Sequence, residues 1–365
     1  MTKTYAITGA NGFISAHSAA QPARMPTSRT ARPRKERSPL HAHTCAPVTR
    51  TVIKLMVAEG HKVRGTVRNE AESGEFVKAL GAEVCEVKEL GDKEALQKAF
   101  AGVDGIFHLA AVHPEYGFAE TPEGREGILK TAVDGTLAVL EAAKAAGVSR
   151  VVLTSSLAAV ESGNDEGTLT EETWSRAEVY DSTEKLEQTQ WQTHYTYVKS
   201  KVEQEKAAVA YAKDNGLDMR VVVPGNLCVG PVASKGINGT MKRLRDIMAG
   251  TNSLKGAADL AIVHVNDVVE AHKRCMLDDA ASGRYIVASD MVTIEQVFEA
   301  LRELYPTHQV AKMEHMDIAS GISGKARKIE SRAESGLGLK LKPYQVALKD
   351  AVDSMLDKQL IPIAA

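Results

Sequence analysis

Tyr197 and Lys201 stand four residues apart in the run Thr196-Tyr197-Val198-Lys199-Ser200-Lys201. On a helix that spacing puts both side chains on one face, one turn apart. A phenol titrates near ~10 in water, and an ammonium close by favours the phenolate. A tyrosine so placed can act as a general acid or base near neutral pH. The spacing alone does not choose its residues, because Tyr195 and Lys199 repeat it two positions earlier. A second candidate group is Thr154-Ser155-Ser156, at the end of an apolar run that begins at Arg150. Ser156 there can hydrogen-bond a substrate oxygen that Tyr197 protonates; its plainer role is to cap the turn that follows.

These groups need a scaffold, and the chain has signals for one. Thr4 to Thr8 reads as a short buried strand, followed by Gly9-Ala10-Asn11-Gly12-Phe13-Ile14-Ser15. Glycines three apart let the backbone turn tightly and approach a pyrophosphate, which then sits at a helix N-terminus. The cofactor contacts expected from this turn are Gly9, Asn11, Gly12, Phe13 and Ile14. Ser15 stands where the pattern has its third glycine, a small change at a position that serves helix–strand packing.

His61 to Val67 is the second strand. An NAD site wants an acid near its end, to hold the ribose 2′-hydroxyl. Arg68 stands there instead, with Arg64 nearby, and a guanidinium suits a 2′-phosphate. The expected cofactor is therefore NADP(H). Glu83 to Val87 is the third strand, with Glu89 and Leu90 as adenine-side contacts. Gly105 to Ala111 is the fourth, and Ala110 and Ala111 are small enough to let a cofactor lie close. His108 and His113 have no partners at ligand spacing, so no metal is expected.

Pro122 to Ala146 reads as a long helix, Arg150 to Ser156 as the fifth strand and Asp218 to Val223 as the sixth. Pro224 and Asn226 follow at the nicotinamide end. The fold class is α/β: a doubly wound Rossmann parallel sheet over residues 1–225, with a smaller C-terminal substrate-binding lobe over 226–365, interleaved with the first. Val265–Leu277, Arg284–Val287 and Thr293–Leu304 are expected in that lobe. Tyr344–Lys358 is an amphipathic helix opened by Pro343. The polar loop from Glu161 to His194 carries Trp174, Tyr180 and Trp191, which either line a pocket or anchor the loop.

Ser18 to about Thr51 departs from this pattern. It is poor in large apolar residues, and Pro22, Pro26, Pro33, Pro39 and Pro47 forbid a long helix. Arg24, Arg29, Arg32, Arg34, Lys35, Arg37 and Arg50 are opposed by Glu36 alone. Amphipathic helix resumes near Val52. The segment reads as a disordered surface insertion, as a basic arm for an anionic partner, or as translated non-coding sequence or a gene-model error. The break inside a helix rather than at a loop tip favours the last of these.

The composition bounds the function. A chain of 365 residues with 44% hydrophobic and 25% charged residues is ordinary for a globular protein. A net charge of -2 gives no electrostatic reason to expect nucleic acid or an anionic membrane. Cys45, Cys85, Cys228 and Cys275 are scattered and read as reduced thiols of a cytoplasmic protein. No apolar run is long enough to span a membrane. A first strand starting by Thr4 leaves no room for a signal peptide.

Together these stretches resemble the extended short-chain dehydrogenase/reductase family, in its dihydroflavonol reductase, cinnamoyl-CoA reductase and methylglyoxal/ketone reductase branch. The likeness rests on Thr8 to Ile14, Thr66-Val67-Arg68, Val151 to Ser156, Leu169 to Trp174 and Ser200-Lys201. It continues through Val223 to Asn226, Gly230-Pro231 and His264 to Val268. It implies Ser156, Tyr197 and Lys201 as the catalytic set, and selects the Tyr197/Lys201 register because serine precedes the family's lysine. It implies reduction of a small ketone or aldehyde by NADPH, reversible toward the alcohol, by a monomer or homodimer. The alternatives are a nucleotide-binding protein silenced by the insertion and a nucleotide-sugar epimerase or dehydratase.

Overall fold

Short apolar runs bounded by turn residues make buried parallel strands, and the runs between them with helical period cover the two faces of the sheet. The computed structural model describes residues 2–10, 46–111, 121–164, 167–176, 189–232, 237, 239–249, 259–289, 291–308, 310 and 327–361. In chain order the strands are β1 (Thr4–Thr8), β2 (Lys62–Val67), β3 (Glu83–Glu86), β4 (Gly105–His108), β5 (Arg150–Thr154) and β6 (Thr168–Leu169). Then come β7 (Asp218–Pro224), β8 (Leu227–Val229), β9 (Asp259–His264), β10 (Gly283–Val287), β11 (Met291–Thr293) and β12 (Lys328–Ile329). The helices are α1 (Ala46–Ala58), α2 (Glu70–Lys78), α3 (Lys93–Phe100), α4 (Pro122–Ala145), α5 (Thr189–Asn215) and α6 (Gly239–Met248). They end with α7 (Val265–Leu277), α8 (Ile294–Leu304), α9 (Ala333–Leu337) and α10 (Tyr344–Asp357).

Among the described residues the main sheet has seven strands in the order β10-β7-β5-β4-β1-β2-β3, and every pairing is parallel. The order reverses between β1 and β4, and a crevice opens at such a point beyond the carboxyl ends of the strands. One face is covered by α1, α2 and α7, through Val52, Ile53, Met56, Val77, Val268 and Cys275. The other is covered by α3, α4 and α5, through Leu96, Phe100, Val139, Leu140 and Ala208.

A second sheet, β11-β9-β8, forms a separate apolar cluster with α6, α8 and α10. Ala347, Leu348, Ala351, Val352 and Met355 are the buried face of α10, the helical period expected of that segment.

Two sequence expectations need correction. The helix expected to resume near Val52 begins at Ala46. Pro47 is compatible with this because it lies in the first turn, where its missing N–H has no intrahelical acceptor. Thr51 Oγ1 donates to Pro47 O at 2.8 Å, and Val48 and Thr49 are already buried. Residues 11–45 lie outside the described residues, and with them Asn11, Gly12, Phe13 and Ile14. The second correction concerns α7 and β10, both expected in the C-terminal lobe. α7 covers a face of the main sheet, where Val268 and Cys275 are buried. β10 closes one edge of that sheet against β7, and Arg284 to Val287 is buried throughout.

Candidate active site

The three hydroxyls at the end of β5 have three different surroundings. Thr154 Oγ1 lies 2.7 Å from His272 Nε2, while His272 Nδ1 lies 2.7 Å from Val268 O. A carbonyl only accepts, so Nδ1 carries the proton and Nε2 accepts from Thr154. Burial brings the His272 imidazole down to about 4, so it is neutral. Ser155 donates to the Glu205 carboxylate, and both residues are buried. Ser156 differs: it is half-buried, and its Oγ accepts from Ala158 N at 3.2 Å, capping the 3₁₀ turn Leu157–Ala159. That bond uses a lone pair and leaves the hydroxyl hydrogen for another acceptor.

The 3₁₀ turn packs against α5, the helix that carries Tyr197 and Lys201. Tyr197 is half-buried, while Lys201 is only 3% exposed. The competing register differs in its lysine, since Tyr195 is half-buried like Tyr197. Lys199 Nζ lies 5.7 Å from the centre of the Tyr195 ring and 3.9 Å from Glu203 Oε1, with the lysine side chain 36% exposed.

Lys201 Nζ donates to Gln204 Oε1 at 3.2 Å. Gln204 Nε2 donates to Thr136 Oγ1 at 2.8 Å, and Thr136 Oγ1 lies 3.0 Å from His108 Nε2. His108 Nδ1 is 2.8 Å from Thr8 Oγ1, which also accepts from Ala110 N at 3.2 Å. Every side chain in this run is buried. Burial first, and the Lys201 charge second, hold His108 down to about 3.

One turn of helix past Lys201, Glu205 pairs with Arg284 of β10, Oε1 to Nε at 2.6 Å. Arg284 also donates to Thr173 O at 2.8 Å and Glu171 O at 3.0 Å, and lies over the Trp174 ring at 4.0 Å. Trp174 therefore anchors its loop, with Lys206 also 5.0 Å from the ring centre. Burial pushes the Glu205 carboxyl up, with Arg284 and the Ser155 hydroxyl opposing. Tyr180 and the Trp191 side chain lie outside the described residues.

At the crevice, Gly9 has φ +72, and a Cβ there would stand 3.0 Å from Ala110 Cα. Only glycine combines that dihedral with so close an approach. Residues 48–288 match the NAD dependent epimerase/dehydratase family. This chain belongs to that family. It is 30% identical over 321 residues to cinnamoyl-CoA reductase 1 of Petunia hybrida, covering 86% of this chain and 90% of the relative. Two solved structures share the fold. Vestitone reductase from alfalfa superposes with a TM-score of 0.72 at 21% identity, covering 99% of this chain and 100% of that one. Yeast methylglyoxal/isovaleraldehyde reductase, complexed with NADPH, gives 0.71 at 21%, covering 98% and 99%.

The residues around the crevice suit a dinucleotide. Gly9, Ala10, Ala110 and Ala111 keep the β1/β4 mouth free of bulk, and Arg68 is half-buried just past the end of β2. Arg64 is committed elsewhere. Its guanidinium bonds Glu83 at 3.1 Å and the carbonyls of Ala99 and Ala101 at 2.8 and 3.0 Å, at the end of α3. Glu89 is exposed, and Leu90 packs against Gly135 of α4. Pro224 ends β7. The Asn226 side chain donates to Glu161, at 3.3 and 3.2 Å from its two oxygens, and accepts from Ala261 N at 3.1 Å. Its amide thus joins β9 to the Glu161 loop.

Sequence reading missed Gln204, Thr136, Glu205 and His272, and treated His108 only as a metal candidate. Gln204 and Glu205 carried a signal, since they lie three and four residues past Lys201 on the same helical face. Nothing local marks Thr136, Arg284 or His272, which arrive from distant elements.

Proposed function

We propose that this chain is an NADPH-dependent reductase of ketone or aldehyde carbonyls, reversible toward the alcohol. Ser156, Tyr197 and Lys201 are its catalytic residues. The observation that carries this reading is the division of labour at the end of β5. Thr154 and Ser155 are engaged inward by His272 and Glu205, while Ser156 keeps a hydroxyl hydrogen beside the Tyr197 helix. NADPH supplies the hydride when bound. Ser156 donates a hydrogen bond to the carbonyl oxygen and fixes its direction. Tyr197 delivers a proton to that oxygen as negative charge develops on it. Lys201, buried one turn along α5, makes the phenol more acidic and holds the ribose hydroxyls. Arg68 takes the 2′-phosphate, without Arg64. Gly9, Ala110 and Ala111 flank the dinucleotide, with Pro224 at the nicotinamide end. A relative whose name describes reduction of cinnamoyl-CoA, and structural neighbours named for vestitone and methylglyoxal/isovaleraldehyde, support a carbonyl substrate.

The test is NADPH consumption across a panel of small aldehydes, ketones and aryl-conjugated carbonyls, with NADH and UDP-glucose as separate arms. Carbonyl-dependent oxidation of NADPH is expected. NADPH binding without turnover on any carbonyl, or turnover of the sugar nucleotide alone, would overturn the proposal.

A further inference from the structure

A buried lysine ammonium must be held by acceptors, because desolvation otherwise favours its neutral form. The acceptor Gln204 offers is neutral, and it is itself held. Its amide nitrogen donates to Thr136, which lies against His108, which in turn lies against Thr8. The run crosses the molecule from α5 through α4 and β4 to the last residue of β1. It ends where Ala110 N reaches Thr8 Oγ1, beneath the Gly9 turn. An amide cannot pass a proton on without becoming an imidic acid, so this run holds a charge in place and does not conduct protons.

We propose that Gln204, Thr136 and His108 are positioning residues for Lys201. They fix its ammonium relative to Tyr197 and tie it to the foot of the dinucleotide turn. The inference rests on the reading of Tyr197 and Lys201 given above. His108 suits the role because it is neutral, so its two nitrogens differ and it can accept from one hydroxyl and donate to the other. Among the described residues, His108 from β4 and Glu205 from the next turn of α5 are titratable groups that face the lysine. Arg284 from β10 stands behind Glu205. A carboxylate in place of Gln204 would add a negative charge next to the ammonium and disfavour the Tyr197 phenolate.

The experiment compares the parent with Gln204→Glu, Gln204→Leu, Thr136→Val, Thr136→Ser and Tyr197→Phe. Each is measured for NADPH-linked carbonyl reduction as a function of pH. Each is also titrated without cofactor by the ultraviolet phenolate difference spectrum, with Tyr197→Phe supplying the reference. Gln204→Glu should move the phenolate titration, and the basic limb of the rate profile, upward by about half a pH unit or more. Gln204→Leu and Thr136→Val should lower kcat roughly tenfold with a smaller change in KM, while Thr136→Ser, which keeps the hydroxyl, should stay within about twofold of the parent. Thr136→Val preserves volume and reports on the same run if a Gln204 variant does not fold. Equal activity of Thr136→Val and Thr136→Ser with an unmoved phenolate titration would overturn the inference. If Tyr197→Phe keeps its turnover, the reading of the site fails instead. If Tyr197→Phe is inactive while every network variant matches the parent, the positioning role alone is wrong.

Discussion

Replacing Arg284 with methionine should destabilise the protein most where Glu205 is charged. The Glu205 side chain is 1% exposed and the Arg284 side chain 10% exposed, so water cannot take over the lost partner. Removing one member of a buried pair costs about 3–5 kcal/mol, because the remaining charge is left uncompensated. At roughly 2.1 cal/mol/K of unfolding entropy per residue, a chain this long should lose about 4–7 °C in melting temperature.

The pH dependence has a definite sign. Burial already pushes the Glu205 carboxyl up, and Arg284 opposes that rise. Its loss raises the carboxyl further. A group whose folded pKa lies above its unfolded value binds more protons in the folded state. Stability then falls as pH rises from the unfolded value, near ~4.3, through the folded one. The deficit of Arg284→Met should therefore be largest near pH ~7.5 and shrink as the pH is lowered toward ~5. Adding Glu205→Gln should recover most of the loss, since removing both members of a buried pair is far milder than removing one. Thermal unfolding of the parent, the two single variants and the double variant at two pH values decides the matter. A deficit that ignores pH and survives in the double variant would refute the reasoning. It would assign the role of Arg284 to its stacking on Trp174 and its two carbonyl bonds.

Ser156→Ala should lower kcat by about tenfold to a hundredfold with little change in melting temperature, since the hydroxyl is half-buried and caps only one short turn; steady-state kinetics and a melt read both. Arg68→Ala should weaken NADPH much more than NADH, by about 1.5–3 kcal/mol for a lost charge-assisted contact; equal loss for both cofactors in a binding titration would reduce Arg68 to a support of the fold. Val48→Ala should destabilise by about 1–3 kcal/mol, because Val48 is 2% exposed inside a helix that starts at Ala46; a neutral result in denaturant unfolding would return the start of that helix to Val52.

The order of strands and helices was legible because a parallel sheet needs continuous apolar strands and a helix-length crossover after each. Thr4–Thr8, Gly105–His108 and Arg150–Thr154 announce themselves in that way. The start of α1 was not legible, because Pro47 reads as a breaker unless the next turn is known to be buried. Nor was the seat of β10: Arg-Tyr-Ile-Val pairs as well in either sheet, and only its place beside β7 decides. At the site, Tyr197, Lys201 and Ser156 stood out by spacing and by resemblance. Arg64 and Arg68 could not be separated in sequence, since the commitment of Arg64 to Glu83 and α3 depends on register with β3. The buried run through Gln204, Thr136 and His108 joins residues up to 100 positions apart, so only part of it left a trace in spacing.

The most direct test of the central claim is the turnover of Tyr197→Phe beside that of Tyr195→Phe, with NADPH affinity measured for both. The substitution removes one hydroxyl from a half-buried ring on an intact helix. Tyr197→Phe should bind NADPH as the parent does and lose about 10²–10⁴ in kcat, the usual contribution of a general acid. Tyr195→Phe should remain close to the parent. Turnover of Tyr197→Phe within a few-fold of the parent, or an equal loss in both variants, would contradict the assignment of Tyr197 as the proton donor.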